Sequence, residues 1–350
     1  MKKLMVVFGT RPELIKTACL IKELRKSKRF ETVVCSTGQH KEMLEDLYDL
    51  FELRPDYDLN VMEENQTLSK LSSKVFQGIE EVIQKEKPDL VFVQGDTTSA
   101  VITAMVSFYN RVPVAHIEAG LRTGDKVYPY PEEINRRIIS EIADFHFAPT
   151  TRALQNLEGY VGEKVQTGNT VVDAVEWMKK KLSLKVSYQN KVLVTVHRRE
   201  SFGEPIKNIC KAIKILAKKN PKTQFIFPVH PNPNVKPIVF KALGSLDNVK
   251  LVEPLRYDKL IRLLSQVKYI LTDSGGIQEE ACSFGKHVFV LRNETERMEG
   301  VSSGVATLVG SNTDVIVRTV MKLKSPKIFN NPYGDGKASQ RIIEVIKEFF

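Results

Sequence analysis

A strand and a helix meet in the segment Leu271-Thr272-Asp273-Ser274-Gly275-Gly276-Ile277-Gln278-Glu279-Glu280. The apolar residues Tyr269–Leu271 predict a buried strand, and residues 277–283 predict the first turns of a helix. Between them, Ser274-Gly275-Gly276 has no bulk that would keep a ligand away from the backbone. A helix start presents free N–H groups and the positive end of the helix dipole, which together favour an anion. The segment therefore predicts either a phosphate-binding turn or a tight strand-to-helix turn without a ligand.

The same alternation of apolar runs and helical periods extends along the chain, as is typical of parallel sheets covered by helices. A first cycle predicts the strands Leu4–Phe8, Thr32–Ser36, Leu90–Val93, Val112–Ile117, Phe145–Ala148 and Lys164–Gln166. A second cycle predicts the strands Val192–Val196, Gln224–Val229, Lys250–Val252, Tyr269–Leu271, Val288–Leu291 and Ala306–Leu308. Helices are predicted at about 12–26, 40–51, 67–86, 97–109, 132–142, 150–158, 171–181, 204–219, 257–266, 277–283 and 314–323.

Two such cycles predict two doubly wound, Rossmann-like α/β domains that face each other across a cleft. The N-terminal domain is expected to span residues 1–169 and the C-terminal domain residues 170–336. A last predicted helix, residues 337–350, follows the second cycle and is expected to pack back on the first domain. Ligands of doubly wound sheets bind beyond the carboxyl ends of the strands, so the predicted ligand site is the cleft.

Size and composition indicate a soluble globular protein, with 350 residues of which 42% are hydrophobic and 27% charged. No apolar run reaches the ~20 residues of a membrane span. The short apolar run after the N-terminal lysines ends in Gly9-Thr10-Arg11-Pro12-Glu13, so it predicts a first core strand and not a signal peptide. The four cysteines are far apart without a C-x-x-C pair, which indicates core thiols and a cytoplasmic location: Cys19, Cys35, Cys210 and Cys282.

The charge is divided unevenly along the chain. Residues 1–175 carry 22 basic and 26 acidic side chains, whereas residues 176–350 carry 30 and 16. The lysines of the basic half are scattered over predicted helix faces without interleaved aromatic residues, which argues against nucleic-acid binding. They are mostly expected to form a solvated surface, although a smaller anion such as a nucleotide suits the asymmetry equally well.

Common cofactor signatures are absent from the sequence. There is no G-x-G-x-x-G after the first strand and no G-x-x-x-x-G-K-[ST], which argues against a dehydrogenase and against an NTPase. The six histidines are dispersed, without an H-x-x-x-H or H-E-x-x-H pair. No metal site is predicted.

Ionisable residues gather where the predicted strands end. Arg11 and Lys16 follow the first strand, Asp96 follows the third and Glu118 follows the fourth. His197 follows the first strand of the second cycle and is itself followed by two arginines, which favours a ligand contact over a structural histidine. Arg11 and Lys16 are either ligand contacts or surface charges on an amphipathic helix.

The acids at these positions have both structural and catalytic readings. Asp96 is a possible helix cap, and Glu132 or Glu133 is a possible first-turn charge paired with Arg136-Arg137. Together, Asp96, Glu118 and Glu132 are expected to converge on one cleft, where like charges raise at least one pKa. One acid is then protonated while another is ionised, which suits proton transfer at a sugar carbon or departure from a glycosidic bond.

Long ordered motifs over nearly the whole chain resemble the non-hydrolysing UDP-N-acetylglucosamine 2-epimerases. The motifs are Phe8-Gly9-Thr10-Arg11-Pro12-Glu13, Thr37-Gly38-Gln39-His40, Gly95-Asp96-Thr97-Thr98, His116-Ile117-Glu118-Ala119-Gly120-Leu121-Arg122, Pro131-Glu132-Glu133-Ile134-Asn135-Arg136-Arg137, Thr167-Gly168-Asn169-Thr170, His197-Arg198-Arg199-Glu200, Thr272–Glu280 and Pro332-Tyr333-Gly334-Asp335-Gly336-Lys337-Ala338. The resemblance implies a GT-B-like fold, a homodimer and the interconversion of UDP-N-acetylglucosamine and UDP-N-acetylmannosamine. It implies elimination of UDP to a 2-acetamidoglucal followed by re-addition, without a redox cofactor or a metal.

The resemblance also implies roles for individual residues. Asp96, Glu118 and Glu132 match the catalytic carboxylates of the family, and His197 matches its cleft histidine. The positions that match substrate contacts are Arg11 and Lys16 at the diphosphate or leaving group, Ser274, Gly275 and Gly276 in the diphosphate turn, Glu280 at the ribose and Arg297 at the diphosphate. A glycosyltransferase or hydrolysing epimerase of the same fold, and a non-catalytic nucleotide-sugar sensor, remain alternatives.

The sequence departs from the family pattern at a few positions. Val196, Pro231, His287 and Met298 differ from the usual residues, and none of them is a predicted acid. Some bacterial relatives bind a second UDP-N-acetylglucosamine as an activator through paired glutamines and an arginine. This chain keeps only Gln39 of these and has Glu42 and Asn65 at the other positions, so the resemblance leaves such regulation open.

Overall fold

The computed structural model of the 350-residue chain describes residues 1–39, 41–63, 66–127, 129–323 and 330–350, with no side-chain description for residues 41–43 and 199. The family-motif residue His40, the side chain of Glu42 and Asn65 lie outside this description. The chain forms two compact units, one of Met1–Trp177 with Tyr333–Phe350 and one of Met178–Pro332. The domain division into 1–169 with 337–350, and 170–336, stays a prediction.

In its described residues, unit 1 holds a seven-stranded parallel sheet of order β3-β2-β1-β4-β5-β6-β7. The strands are β1 Lys2–Phe8, β2 Phe30–Ser36, β3 Tyr57–Asp58, β4 Leu90–Gln94, β5 Val114–Ile117, β6 Phe145–Ala148 and β7 Glu163–Gln166. The helices are α1 Arg11–Lys26, α2 Lys41–Phe51, α3 Leu68–Glu86, α4 Thr98–Tyr109, α5 Glu132–Ile142, α6 Thr151–Gln155, α14 Ala338–Phe349 and α7 Thr170–Lys181, whose last four residues belong to unit 2.

Helix starts in unit 1 follow from local chemistry. Pro12 lies in the first turn of α1, where its missing N–H costs nothing. Thr97 and Thr150 cap α4 and α6, and each side chain accepts a hydrogen bond from the backbone N–H three residues on. The start of α14 is capped by a residue of another helix, Asp173. Its carboxylate accepts hydrogen bonds from Ala338 N at 3.1 Å and Ser339 N at 2.7 Å. The last helix is thereby bound to unit 1.

The described residues of unit 2 contain a six-stranded parallel sheet of order β10-β9-β8-β11-β12-β13. Its strands are β8 Lys191–Thr195, β9 Gln224–Pro228, β10 Val249–Val252, β11 Tyr269–Thr272, β12 His287–Val290 and β13 Ala306–Leu308. The helices are α8 Glu204–Lys219, α9 Lys236–Leu243, α10 Tyr257–Gln266, α11 Gly275–Cys282, α12 Met298–Ser302 and α13 Thr313–Met321, with a 3-10 turn at Arg199–Ser201.

Both sheets are built of buried apolar strands. Every residue of β4 and β11 is buried, which explains why these strands read as continuous apolar runs. The strand order reverses between β1 and β4 in unit 1, and between β8 and β11 in unit 2. Crevices outside such reversal points are where doubly wound sheets bind ligands. No helix in the described ranges is long and apolar enough to cross a bilayer.

Candidate active-site residues at the two reversal points

Glu13 joins the two turns at the reversal point of unit 1. Its buried carboxylate accepts hydrogen bonds from Gly9 N at 2.9 Å, Thr10 N at 2.7 Å and Thr10 Oγ1 at 2.8 Å. The Thr97 hydroxyl, next to Asp96, donates to its other oxygen at 2.6 Å. Burial raises the pKa of Glu13 and these hydrogen bonds oppose the rise. The turn that carries Arg11 is therefore fixed to the turn that carries Asp96.

Asp96 is held at the end of β4 by two residues of α5. Arg136 approaches one carboxylate oxygen with Nη2 at 2.6 Å and Nε at 2.8 Å, and Asn135 Nδ2 donates to the Asp96 carbonyl at 2.8 Å. Helix α4 is capped by Thr97, so the alternative reading of Asp96 as the cap is wrong. The Asp96 side chain stays 26% exposed, so solvent or a ligand reaches its carboxylate.

Glu118 follows β5 in the left-handed backbone region, with φ of +66°. Non-glycine residues seldom adopt this conformation, and strained backbone of this kind concentrates at functional sites. Lys16 Nζ lies 2.7 Å from both carboxylate oxygens, and Gln94 donates its amide to one of them. The side chains of Lys16 and Glu118 are only 8% and 4% exposed. Lys16, predicted as a substrate contact, is thus also the buried counter-ion of a predicted catalytic acid.

The two neighbouring acids of α5 differ in their surroundings. Glu133 is fully buried and accepts from Thr123 N at 2.9 Å and Arg137 Nη2 at 3.1 Å, with Arg136 Nη1 at 3.3 Å. Burial opposes its ionisation, but the hydrogen bonds and the arginine charges outweigh burial and lower the pKa of Glu133. The first-turn ion pair predicted for Glu132 or Glu133 is confirmed for Glu133. Glu132, half-buried, is the first residue of α5.

Asp96 and Glu118, two of the three predicted acids, lie at the carboxyl end of the unit 1 sheet. Glu118 approaches Gly95, the residue directly before Asp96. A Cβ atom added to Gly95 would lie 4.0 Å from Glu118 Oε2. Helix α5, which begins at Glu132, reaches Asp96 through Asn135 and Arg136. His116 Nε2 donates to Gly95 O at 2.8 Å, and burial lowers the pKa of His116 to about 3, so the ring is neutral. Arg11 is half-buried at the first residue of α1.

His197 and Asp273 meet at the reversal point of unit 2, at the ends of β8 and β11. The Asp273 carboxylate is fully buried and lies 3.3 Å from His197 Nδ1. It also accepts from His197 N, Arg198 N and Ser201 Oγ at 3.0, 2.9 and 2.8 Å. The His230 ring lies 6.2 Å from the His197 ring, centroid to centroid, in a stacked orientation.

Helix α11 begins two residues earlier than predicted, so the glycines lie in its first turn. Ser274 is the residue before the helix, and its N–H donates to Thr272 Oγ1 at 2.9 Å. The Arg297 guanidinium lies against Gly275, where a Cβ would stand 3.0 Å from Cζ. A cation beside the positive end of a helix is a suitable arrangement for an anionic ligand. Glu280, the predicted ribose contact, is 6% exposed within the same helix.

Arg297 belongs to a buried ion-pair network. Its Nε lies 2.9 Å from Glu279, and its Nη1 lies 2.7 Å from Glu296. Arg292 contacts Glu296 at 3.0 Å and Glu200 at 2.8 Å. Burial opposes ionisation of Glu296, but Arg297 and Arg292 outweigh it and hold the pKa of Glu296 far below its usual range. The network fixes the Arg297 guanidinium beside the start of α11.

Alanine substitutions at the two glycines of α11 are expected to have opposite effects on stability. Gly275→Ala pushes a methyl group into the Arg297 guanidinium and is expected to cost about 1–3 kcal/mol. Gly276→Ala meets nothing within 4 Å and is expected to be neutral or to stabilise by at most about 1 kcal/mol. Thermal unfolding of both variants checks this, and equal melting temperatures would contradict the close contact at Gly275.

Two doubly wound units with polar residues at their reversal points define a Rossmann-like, GT-B-like α/β protein. The sequence pattern of the family described as UDP-N-acetylglucosamine 2-epimerase matches residues 22–347. The chain is 44% identical to a probable UDP-N-acetylglucosamine 2-epimerase of Ralstonia nicotianae, over 100% of both chains.

Solved structures agree with this match. The crystal structure of UDP-GlcNAc 2-epimerase from Neisseria meningitidis bound to UDP-GlcNAc has a TM-score of 0.93 at 42% identity and covers 99% of this chain and 100% of that chain. The S. aureus MnaA–UDP co-structure has a TM-score of 0.91 at 43% identity, covering 100% of this chain and 97% of that chain. The protein belongs to the UDP-N-acetylglucosamine 2-epimerase family. The predicted family and fold class are confirmed.

Sequence reasoning missed several residues that organise these sites. No role is predicted for Glu13, Asn135 or Asp273 from the sequence, and Arg136 is predicted only as an ion-pair partner of Glu132 or Glu133. The signal for Asp273 was its position, since a carboxylate directly after a buried strand must find hydrogen-bond donors. The roles predicted for the individual site residues stay predictions.

Proposed function

We propose that this member of the family epimerises UDP-N-acetylglucosamine at C2 of the sugar, reversibly and without net hydrolysis, to UDP-N-acetylmannosamine. The observation that carries the proposal is the carboxylate cluster of unit 1, in which Asp96 faces Arg136 and Glu118 faces Lys16. The full-length similarity to relatives whose structures contain UDP-GlcNAc or UDP supports the substrate. A homodimer and UDP-N-acetylmannosamine binding belong to the same proposal.

The chemistry explains why several acids are needed. The C2 proton of the substrate is not adjacent to a carbonyl group, so its direct removal is very slow. In the proposed route, a base takes this proton while the C1–O bond to UDP breaks, giving 2-acetamidoglucal and UDP. An acid then returns a proton to C2 on the opposite face as UDP re-forms its bond to C1. The atoms balance without water, an oxidant or a reductant.

The two units are proposed to divide the work. In unit 2, the start of α11 with Ser274, Gly275 and Gly276 binds the diphosphate beside Arg297, and Glu280 accepts a ribose hydroxyl. Free N–H groups and a fixed guanidinium stabilise the charge that develops on departing UDP. His197, 41% exposed on its side chain, contacts the substrate from the same unit.

Unit 1 is proposed to move the proton. Asp96, Glu118 and Glu132 share the acid and base roles, and the contacts with Arg136 and Lys16 keep negative charges close together at low cost. Arg11 and Lys16 are proposed to assist the diphosphate or its departure. Lys16 then acts in two ways, because it also holds Glu118 in place.

Two other readings make different demands on these residues. A glycosyltransferase needs one base and an acceptor site, so it has no use for three acids at one sheet edge. A nucleotide-sugar sensor would use the start of α11 and Glu280 but not the acids of unit 1. A hydrolysing epimerase would use the same acids and differ only in releasing UDP.

Incubation with UDP-N-acetylglucosamine in D2O distinguishes these functions. We expect deuterium at C2 of both epimers and little free UDP, because the C2 proton exchanges during elimination and UDP is added back. NMR of C2 follows the exchange, and chromatography of UDP gives the amount released. Steady release of UDP would indicate hydrolysis or transfer, and bound substrate without exchange would indicate a sensor. Either result would overturn the proposal.

A further inference from the structure

We propose that Asp273 is a positioning residue, which keeps the proton of the neutral His197 ring on Nδ1 and so presents the Nε2 lone pair to the bound nucleotide sugar. No role for Asp273 follows from the reaction described above. The proposal rests on the proposed function only in the use that it gives to His197. The placement of the Asp273 carboxylate at the end of β11, with Oδ1 3.3 Å from Nδ1 of the His197 ring, carries the rest.

The two oxygens of Asp273 share His197 N and differ in their other partners. Oδ2 accepts from His197 N at 3.0 Å, Arg198 N at 2.9 Å and Ser201 Oγ at 2.8 Å. Oδ1 lies 3.3 Å from Nδ1 of the His197 ring and 3.2 Å from His197 N. An ionised carboxylate only accepts hydrogen bonds, so its position beside Nδ1 favours the tautomer that carries the proton on this nitrogen. The donors on Oδ2 orient the carboxylate, and the carboxylate then selects the tautomer.

Burial of the carboxylate makes this selection strong. Asp273 has no exposed surface, so water does not compete for Oδ1. Its neighbour Ser274 is the residue before α11, so the element that orients the His197 ring is continuous with the predicted diphosphate turn. Asp273 consequently fixes the position of the His197 ring relative to the predicted diphosphate turn. A preorganised site of this kind needs no rearrangement during the reaction.

The charges around His197 agree with a neutral ring. Desolvation lowers the pKa of His197, although the nearby Asp273 charge raises it. Of the other groups that face the ring, Arg198 and His230 lower this pKa and Glu200 raises it. The lowered pKa leaves His197 uncharged near pH 7, where the position of its single proton decides whether Nε2 accepts or donates a hydrogen bond.

Nitrogen NMR of the protein labelled with 15N-histidine tests the proposal directly. We expect Nδ1 of His197 to be protonated and Nε2 to be bare in the wild type at pH 7.5, with the signals assigned by His197→Gln. In Asp273→Asn, an amide replaces the acceptor, so we expect a mixture of tautomers or the opposite one, and a lower pKa of His197. Protonated Nε2 in the wild type, or an unchanged tautomer in Asp273→Asn, would overturn the proposal.

The kinetic consequence separates positioning from folding. We expect kcat of Asp273→Asn to fall by about 100-fold while KM changes within a few fold, because the ring is misprotonated but the diphosphate turn remains. Asp173→Asn is the matched control, since it alters another buried carboxylate that accepts two backbone N–H groups, in unit 1. It is expected to lower the melting temperature without changing the His197 tautomer or kcat.

Two further measurements keep the test decisive. Ser201→Ala removes one donor to Oδ2 but leaves Oδ1 facing the ring, so the tautomer is expected to remain. If Asp273→Asn does not fold, the wild-type tautomer still decides, because bare Nδ1 contradicts the proposal without any variant. If the wild type shows no epimerase activity, the proposed function fails, whereas the NMR result judges Asp273 independently.

Discussion

Replacing Asp96 by asparagine is expected to slow C2 proton exchange by about 10³-fold, within the range for loss of a general acid or base. Arg136 binds the Asp96 carboxylate through Nη2 and Nε. The asparagine amide has no negative charge, so it is a weaker hydrogen-bond partner for the Arg136 guanidinium. UDP affinity is expected to stay within a few fold, because Asp96 is not a proposed UDP contact and the proposed diphosphate turn with Arg297 lies in unit 2. Exchange in D2O and UDP titration calorimetry measure the two quantities.

Asp144→Asn provides the matched control for Asp96→Asn. Asp144 accepts from Val114 N at 2.8 Å at the opposite edge of the same sheet, where β5 begins. This variant is expected to lose some stability but to exchange the C2 proton at the wild-type rate. Glu132→Gln should resemble Asp96→Asn and not this control. Near-normal exchange in Asp96→Asn would remove Asp96 from the chemistry.

Replacing Lys16 by methionine is expected to destabilise the protein by about 3 kcal/mol, as is typical when one partner of a buried ion pair is removed. Glu118 keeps the Gln94 amide but loses the ammonium 2.7 Å from both its oxygens, while its side chain stays 4% exposed. Methionine fills most of the lysine volume, so the loss is electrostatic and not a cavity. Urea unfolding compared with the wild type measures the change.

Two variants show whether this effect belongs to the buried pair. Lys16→Met combined with Glu118→Gln is expected to recover much of the lost stability, because a neutral amide needs no counter-ion, but it should remain inactive. Lys3→Met removes ion pairs to Glu86 and Glu31 at the other end of β1, where the three side chains are 23%, 16% and 49% exposed. It is expected to cost at most about 1 kcal/mol. Equal costs for Lys16→Met and Lys3→Met would contradict a special role for burial.

Local sequence patterns predicted most elements of the fold because their signals are local. The helices predicted at 132–142 and 257–266 have the same bounds in the structure, since each has a clear helical period. Strand β3 was missed because Tyr57–Asp58 is too short for an alternating pattern. Helix α9 was not predicted, although Pro237 lies in its first turn, where a proline is favoured.

The candidate sites were predicted as individual residues but not as contacts. Strand exits located Asp96, Glu118 and His197, because parallel strands end at one edge of a sheet. Nothing in the sequence indicates that Lys16 pairs with Glu118, since 102 residues separate them. The same holds for Asp273 and His197, which are joined only when β8 and β11 pair. Such contacts depend on strand order, which periodicity does not give.

The binding of α14 to unit 1 through Asp173 has a consequence for the order of folding during synthesis. Helix α14 buries Ile342, Ile343 and Ile346, yet the ribosome makes it only after all of unit 2. A nascent chain that has just completed β7 therefore lacks one of the helices that cover its own sheet. Unit 2 is one contiguous segment and can fold before α14 is made. Unit 1, although most of it is synthesised first, is therefore the last of the two units to complete its fold.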